Sequence, residues 1–149
     1  MRYHLVACVL LAFACCHTVT ATAWTDCVDT SAAHWSVSSF DSEPSSVQAG
    51  QNITVNMIFA TNGVVVTGGQ VETKVSLKVL GKFIQVHTEK YNLCAPTFPC
   101  PVNQPVAKIF NSAAIPSSAP AGSYLNEIDV IDQDGNTVGC VSYEYSITH

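Results

Sequence analysis

Apolar and polar residues alternate along several long stretches of this sequence. Apolar residues take nearly every second position from Ile53 to Phe59, from Val71 to Val79 and from Val141 to Ile147. A period of two is that of a β-strand with one buried and one solvated face, whereas an amphipathic helix repeats every 3.6 residues. No segment has the apolar stripe of a helix. The alternation therefore predicts an all-β protein.

Turn-forming residues separate these stretches. Asn62-Gly63, Gly68-Gly69, Gly81 and Asp134-Gly135 are hairpin signals, and prolines mark the remaining loops. Many short antiparallel strands at this spacing predict a sandwich or a barrel. We predict about seven strands, near residues 34–40, 53–61, 70–80, 83–91, 106–114, 124–132 and 137–148.

The N-terminal segment has the layout of a secretory signal peptide. Arg2 and His4 precede an unbroken apolar run over residues 5–16, and small residues follow up to Ala23. The run is shorter than the roughly 20 residues of a membrane-spanning helix. We predict a signal peptide over residues 1–23 and one mature domain over residues 24–149. The mature protein is then secreted, or enters the lumen of the secretory and lysosomal or vacuolar pathway.

The cysteine count agrees with this division. The chain has seven cysteines, of which three lie in the predicted signal peptide. An even number in a secreted domain predicts disulfides, and four cysteines permit three connectivities. The sequon at Asn52 predicts a glycosylation site. The four remaining cysteines are Cys27, Cys94, Cys100 and Cys140.

Composition and motifs argue against several classes of function. The net charge is −5 at pH 7, and the only arginine is Arg2. A basic nucleic-acid footprint and a bidentate phosphate clamp are therefore not expected. The histidines of the mature domain, His34, His87 and His149, are isolated, and no catalytic motif is present. We expect no enzyme activity, no cofactor and no metal site; residues 132–136 lack the pattern of a calcium loop and predict a hairpin turn.

An immunoglobulin-type adhesion or receptor-binding domain with a solid core is one alternative. Cys27 and Cys94 have a separation close to that of an intersheet bridge, and Trp35 lies between them. Trp35 is nevertheless close to Cys27, and Tyr91 precedes Cys94 by three residues where that fold has two. A Cys27–Cys94 bridge would favour this alternative.

Several motifs, in order, resemble those of ML-domain lipid-recognition proteins. The resemblance extends over the whole predicted mature chain and includes both the phosphatidylglycerol/phosphatidylinositol transfer branch and the Niemann–Pick type C sterol-binding branch. The stretches that carry it are residues 51–62, the loop from Cys94 to Pro101, residues 115–124, residues 132–135 and residues 140–147.

The resemblance implies an immunoglobulin-like β-sandwich with a lipid cavity between its sheets. It also implies Cys27–Cys140 and Cys94–Cys100 disulfides, and a monomer that binds a sterol, phospholipid or fatty acid. Sterol-binding members often carry a further cysteine pair in the first loop, where this chain has residues 41–46 without cysteine. That difference weakens a transfer of sterol specificity. Some members of the family present microbial lipid to a receptor, which is a further alternative.

The inward-facing residues of the alternation are the predicted wall of the cavity, with an ordinary solid core as the alternative. By the resemblance, Ile84 and Val86 fall at pocket positions, and Ala119 and Pro120 fall near the cavity mouth. Phe98 in the disulfide loop is a third candidate for the mouth. The predicted wall consists of Val55, Met57, Phe59, Val75, Leu77, Ile84, Val86, Tyr124, Ile128, Val130, Val141, Tyr143 and Tyr145.

Three lysines of one hairpin suggest a transient contact with membranes. Lys74, Lys78 and Lys82 are expected on the solvated side of that hairpin, where they would attract anionic lipid surfaces. The alternative is a solvated face without such a role.

Overall fold

The computed structural model describes residues 23–29, 33–96 and 98–149, and within these residues it contains nine strands and no helix. The predicted all-β fold is confirmed. In chain order the strands are β1 (Trp24–Asp26), β2 (Ser36–Glu43), β3 (Ser46–Gln48), β4 (Asn52–Ala60), β5 (Gly69–Val79), β6 (Lys82–Asn92), β7 (Val106–Ala114), β8 (Gly122–Asp132) and β9 (Thr137–Thr148).

The strands form two sheets. The larger sheet has six strands in the order β1-β9-β8-β5-β6, with β3 also paired to β9. The smaller sheet has three strands in the order β2-β4-β7. The inward faces of the two sheets enclose the core of the sandwich.

The expectation of about seven antiparallel strands needs one correction. The seven longer strands match the predicted ones, but β1 and β3 are additional and have three residues each. Strands this short cannot show an alternation, so only their pairing with β9 reveals them. The β3–β9 pair is parallel, whereas the other pairs between the described strands are antiparallel.

Two disulfides tie the sandwich together. Cys27, directly after β1, is bonded to Cys140 in β9, and Cys94 is bonded to Cys100 in the loop between β6 and β7. These are the pairs that the family resemblance implies. The Cys27–Cys94 bridge of the adhesion-domain alternative is therefore wrong.

The core follows from the alternation. Met57 and Phe59 of β4 are at most 1% exposed, and Trp35 before β2 is fully buried. The indole nitrogen of Trp35 donates a hydrogen bond of 3.1 Å to the carbonyl oxygen of Val64. A Cβ atom at Gly139 would lie 3.1 Å from the Phe59 ring, so the glycine allows the ring to pack against β9. Burying such large apolar side chains stabilises the fold by about 1.5 to 3 kcal/mol each.

The two sheets differ in width, and this difference leaves part of the larger sheet uncovered. β6 is the free edge of the larger sheet and pairs only with β5. Nine of its eleven residues are exposed. The inward side of this edge consequently remains open to solvent, on the side of the sandwich where β7 forms the edge of the smaller sheet.

The predicted signal peptide lies almost entirely outside the described residues, since residues 1–22 are not among them. In the part of the chain that the structure describes, no helix has the length and apolar character needed to cross a bilayer.

Candidate functional site

A cavity of about 360 Å³ lies between the uncovered edge of the larger sheet and the chain that leaves β7. We call it the inter-sheet cavity. One wall comes from β6, the opposite wall from the end of β7 and the β7–β8 loop, and the floor from β8 and β9. The lining residues are Val86, His87, Glu89, Ala113, Ala114, Ile115, Pro116, Ser118, Ala119, Pro120, Tyr124, Tyr145 and Ile147.

A β-bulge in β6 decides which of its side chains reach the cavity. His87 is paired with Val75 and Gln85 with Ser76, so that Val86 is an extra residue in the strand. A bulge of this kind shifts the alternation by one residue. Val86 and His87 therefore both face the cavity, and Glu89 follows on the same side.

Two stacked tyrosines form the floor of the inter-sheet cavity. The ring centroids of Tyr124 and Tyr145 are 5.5 Å apart, with an angle of 26° between the ring planes. The Tyr124 hydroxyl donates a hydrogen bond of 2.7 Å to the carbonyl oxygen of Pro120, which fixes the β7–β8 loop over the floor. Burial raises the pKa of both tyrosines above the usual value. The floor is thus aromatic and uncharged at neutral pH.

A second, smaller cavity of about 170 Å³ lies on the same open side, beneath the disulfide loop. We call it the loop cavity. Val71, Tyr91, Phe98 and Ile109 are among its lining residues. Burial, and after it the negative charge of Glu89, raises the pKa of Tyr91 to about 12. The two cavities thus lie in succession along β6, with Glu89 in one and Tyr91 in the other.

A groove of about 420 Å³ on the disulfide loop has a different character. One continuous stretch, residues 98–104, and the beginning of β7 form all of its lining. It is a depression in the surface of one loop, and the space between the sheets does not extend into it. The inter-sheet cavity is therefore the better candidate for a binding site.

The predicted wall residues fall into distinct places. Val86, Tyr124 and Tyr145 line the inter-sheet cavity, as do Ala119 and Pro120, whereas Phe98 lines the loop cavity and the groove. Val75 and Leu77 pack half-buried against the core, and Ile84 is 53% exposed on the uncovered edge. The remaining wall residues lie in the buried core: Val55, Met57, Phe59, Ile128, Val130, Val141 and Tyr143.

Several lining residues escaped the sequence analysis. The alternation could not identify His87 and Glu89, because the bulge that turns them inward has no local signature. Ile115 and Ile147 are apolar residues at the ends of strands, and their position beside the cavity depends on the path of the β7–β8 loop. The missed lining residues are His87, Glu89, Ala113, Ala114, Ile115, Pro116, Ser118 and Ile147.

The three lysines of the β5–β6 hairpin do not form a single charged stripe. Lys74 lies 2.9 Å from Glu127 and 2.7 Å from Asp129, and its hydrogen bonds to these carboxylates raise its pKa. Lys82 is paired with Val79, whereas Lys78 is paired with Phe83 on the other face of the sheet. Only Lys78 and Lys82, at the end of the hairpin, are free of carboxylate partners among the described residues.

Two groups of residues that could in principle bind a metal ion are engaged instead in a disulfide bond and in the hydrogen bonds of a turn. Cys27, Cys140 and Glu127 approach one another, but the two sulfur atoms are bonded together and are not thiolates. In the β8–β9 turn, a side-chain oxygen of Asp132 accepts hydrogen bonds from the backbone nitrogens of Asp134 and Asn136. The latter segment is the hairpin turn that its sequence predicts.

Comparison with protein families gives a match that spans nearly the whole described chain. The model of the ML-domain family matches residues 21–147. The chain is a member of the ML-domain family. The expected lipid-recognition family is thereby confirmed. The family match gives no support to the adhesion-domain alternative.

Two individual ML-domain comparisons agree with this assignment. A Dictyostelium discoideum protein named "putative phosphatidylglycerol/phosphatidylinositol transfer protein" is 26% identical over 129 residues, which are 83% of this chain and 85% of the relative. The crystal structure of a Niemann-Pick type C2 protein from Japanese carpenter ant superposes with a TM-score of 0.66 at 19% identity. That match covers 85% of this chain and 99% of the ant protein, and it shows the shared fold.

Proposed function

We propose that this protein binds a lipid in the inter-sheet cavity and carries it between membranes or other acceptors. The observation that carries the proposal is the cavity itself: an aromatic floor and largely apolar walls that remain open beside a closely packed core. Membership of the ML-domain family supports it. So does the name of the Dictyostelium relative, which describes lipid transfer.

The size of the cavity suits a single hydrocarbon chain or one compact lipid body. Ligand sites usually measure about 300 to 1,000 Å³, and about 360 Å³ lies at the lower end. Each methylene group that leaves water contributes about 0.8 kcal/mol. The free energy gained by burying ten or more methylene groups therefore exceeds the cost of association, which is several kcal/mol. A lipid with two chains needs the sheets to separate further, or a connection to the loop cavity.

The proposed location is the extracellular space or the lumen of the secretory and lysosomal or vacuolar pathway. The predicted signal peptide and the two disulfides support it, because disulfides persist in oxidising compartments. Asn52 is exposed at the beginning of β4 and is therefore accessible as the proposed glycosylation site. We propose a monomer, because the cavity is formed by one chain.

We also propose that the tip of the β5–β6 hairpin touches the membrane during transfer. Leu80 at this tip is fully exposed, Val79 is 40% exposed, and Lys78 and Lys82 flank them. Leu77, two residues before Val79, is paired with Tyr124 on the cavity floor. An apolar tip between two cations suits an anionic bilayer surface, and it lies at the same end of the sandwich as the cavity.

Filling the cavity tests the proposal directly. Ala113 lines the cavity and is half-buried, so Ala113→Trp places an indole ring in the space that the lipid would use. We expect binding of a fluorescent fatty acid to weaken at least about tenfold, because most of the apolar contact is lost. Native mass spectrometry should show that lipid co-purifies with the natural protein and not with the variant.

Ser112→Trp is the matched control, since Ser112 is the neighbouring residue on the exposed, outward side of β7. The control variant should bind as the natural protein does. Unchanged binding by a correctly folded Ala113→Trp variant, with near-ultraviolet circular dichroism as the test of folding, would mean that the cavity is not the lipid site.

A further inference from the structure

We propose that Glu89 selects the ligand of the inter-sheet cavity by charge: lipids whose polar end is an alcohol or an ammonium group enter, and lipids that end in a carboxylate or phosphate are disfavoured. The inference rests on the proposed function, because it assumes that the cavity holds a lipid. It adds a specificity-determining residue and a chemical class of ligand to that proposal.

The position of Glu89 is the first observation. The bulge at Val86 turns Glu89 towards the cavity, where it is the only carboxylate among the lining residues. No described lysine lies within ion-pair distance of it. The negative charge of Glu89 also contributes to the raised pKa of Tyr91, which lines the adjoining loop cavity. A lipid head that enters here therefore meets a carboxylate that forms no ion pair among the described residues, with the imidazole of His87 as the other titratable side chain that β6 contributes to the lining.

The placement of the five lysines is the second observation. Lys74 and Lys90 form ion pairs with carboxylates on the outer face of the larger sheet, and Lys78 lies over the Phe83 ring on that face. Lys108 borders the loop cavity and is not part of the inter-sheet lining. Lys82 is seven positions from Glu89 along β6, about 20 Å, which exceeds the screening length of about 8 Å at physiological salt.

Hydrogen-bonding capacity is the third observation. Glu89 is paired with Thr73 across β5 and β6, and it lines the inter-sheet cavity with its carboxylate. A carboxylate can only accept hydrogen bonds, whereas alcohol and ammonium groups donate them. A donating polar end thus suits Glu89, and an anionic end adds a like charge beside it.

The test uses the purified, delipidated protein and four ligands with the same chain: dodecanol, dodecylamine, dodecanoate and dodecyl phosphate. The alcohol is kept below its solubility limit and the other three below their critical micelle concentrations. Displacement of one neutral fluorescent probe gives their relative affinities. We expect the alcohol and the amine to bind about fivefold more tightly than the two anions, as suits one partly solvated charge. The ratio should fall towards one in high salt.

Variants connect this ratio to Glu89. Glu89→Gln should bring the ratio close to one, and Glu89→Lys should reverse the preference towards the anions. Glu144→Gln removes an exposed carboxylate of β9 that does not line the inter-sheet cavity, and it should leave the ratio unchanged. A comparison of the alcohol with the amine separates hydrogen bonding from the attraction between opposite charges. Both ligands can form hydrogen bonds, but only the amine carries a positive charge, so only its affinity should fall markedly in Glu89→Lys.

The outcomes separate this inference from the proposed function. If none of the four ligands displaces the probe, the proposed lipid site is wrong. If all four bind equally, or if the anions bind more tightly to the natural protein, lipid binding stands and the role of Glu89 is overturned. An equal shift in the ratio by Glu144→Gln and Glu89→Gln would also overturn it, since net charge alone would then explain the selection.

Discussion

At the scale of single residues, one extra residue in β6 determines the chemistry of the site. An uninterrupted alternation would place Ile84 and Val86 inward and Glu89 outward. The bulge keeps Ile84 and Val86 on the inward side but brings His87 and Glu89 there as well. The site therefore carries a carboxylate and an imidazole that the pattern alone assigns to solvent.

Thr73 illustrates the cost of a polar atom in such a place. Its hydroxyl group is buried without a hydrogen bond of good geometry among the described residues, although it lies near the Tyr91 hydroxyl and lowers the pKa of that group. An unsatisfied buried group costs about 1 to 3 kcal/mol. Thr73→Val removes the hydroxyl at nearly constant shape. We expect the free energy of unfolding of the delipidated protein in urea to rise by about 1 kcal/mol.

Thr148→Val, at the exposed end of β9, is the control and should change stability by less than about 0.5 kcal/mol. A clear loss of stability in Thr73→Val would show that the hydroxyl has a partner in solution, such as the Tyr91 hydroxyl.

At the scale of secondary-structure elements, strand positions were accessible from the sequence where the alternation was long. β4, β5 and β9 lie where their patterns predict them. β7 shows why a pattern can be hard to interpret at an edge: Ala107 and Ile109 face inward, whereas Val106 and Phe110 are 45% and 68% exposed. An edge strand of the smaller sheet can carry apolar residues on both faces, so alternation alone does not assign them.

The β5–β6 hairpin combines an unfavourable backbone with an exposed apolar side chain. Leu80 has a φ of 50° and Gly81 a φ of 81°, a pair of positive values for which asparagine and glycine are preferred. We expect Leu80→Asn to maintain or raise the melting temperature, because asparagine adopts this conformation more readily. The same variant should slow transfer of a fluorescent lipid to anionic vesicles several-fold, because it removes the fully exposed leucine from the tip.

Val65→Gln is the control for this element, since it places a polar amide there without creating a glycosylation sequon. Val65 is 50% exposed in the loop before β5, at the opposite end of that strand from the hairpin tip. An equal effect of the two variants on transfer would rule out a specific contact through the tip.

At the scale of the whole molecule, the disulfides compensate for a sandwich with an incompletely filled interior. The Cys27–Cys140 bond joins residues 113 positions apart, whereas the Cys94–Cys100 bond joins residues 6 positions apart. Loop-entropy arguments assign about 4 to 5 kcal/mol to the longer loop and about 2 kcal/mol to the shorter. Replacing Cys27 and Cys140 by alanine should therefore reduce the free energy of unfolding more than replacing Cys94 and Cys100.

Urea unfolding of the two delipidated double variants measures this difference. The second pair should affect the loop cavity more than global stability, because its bond fixes the chain around Phe98. Equal losses in the two variants would show that the longer bond does not act chiefly through the entropy of the unfolded chain.

The amino-acid sequence was enough to predict the all-β class, the positions of the seven longer strands and the side chains of β4, β8 and β9 that face the core. Those properties depend on local alternation and turn residues, which are readable along the chain. Two properties became visible only in the folded chain: six strands face three, so that the inward side of β6 stays uncovered, and a bulge directs Glu89 into the space beside it. Alternation specifies which face of a strand is apolar. The width of the opposing sheet depends instead on pairing between distant segments. Where that sheet is too narrow to cover the apolar face, a cavity remains.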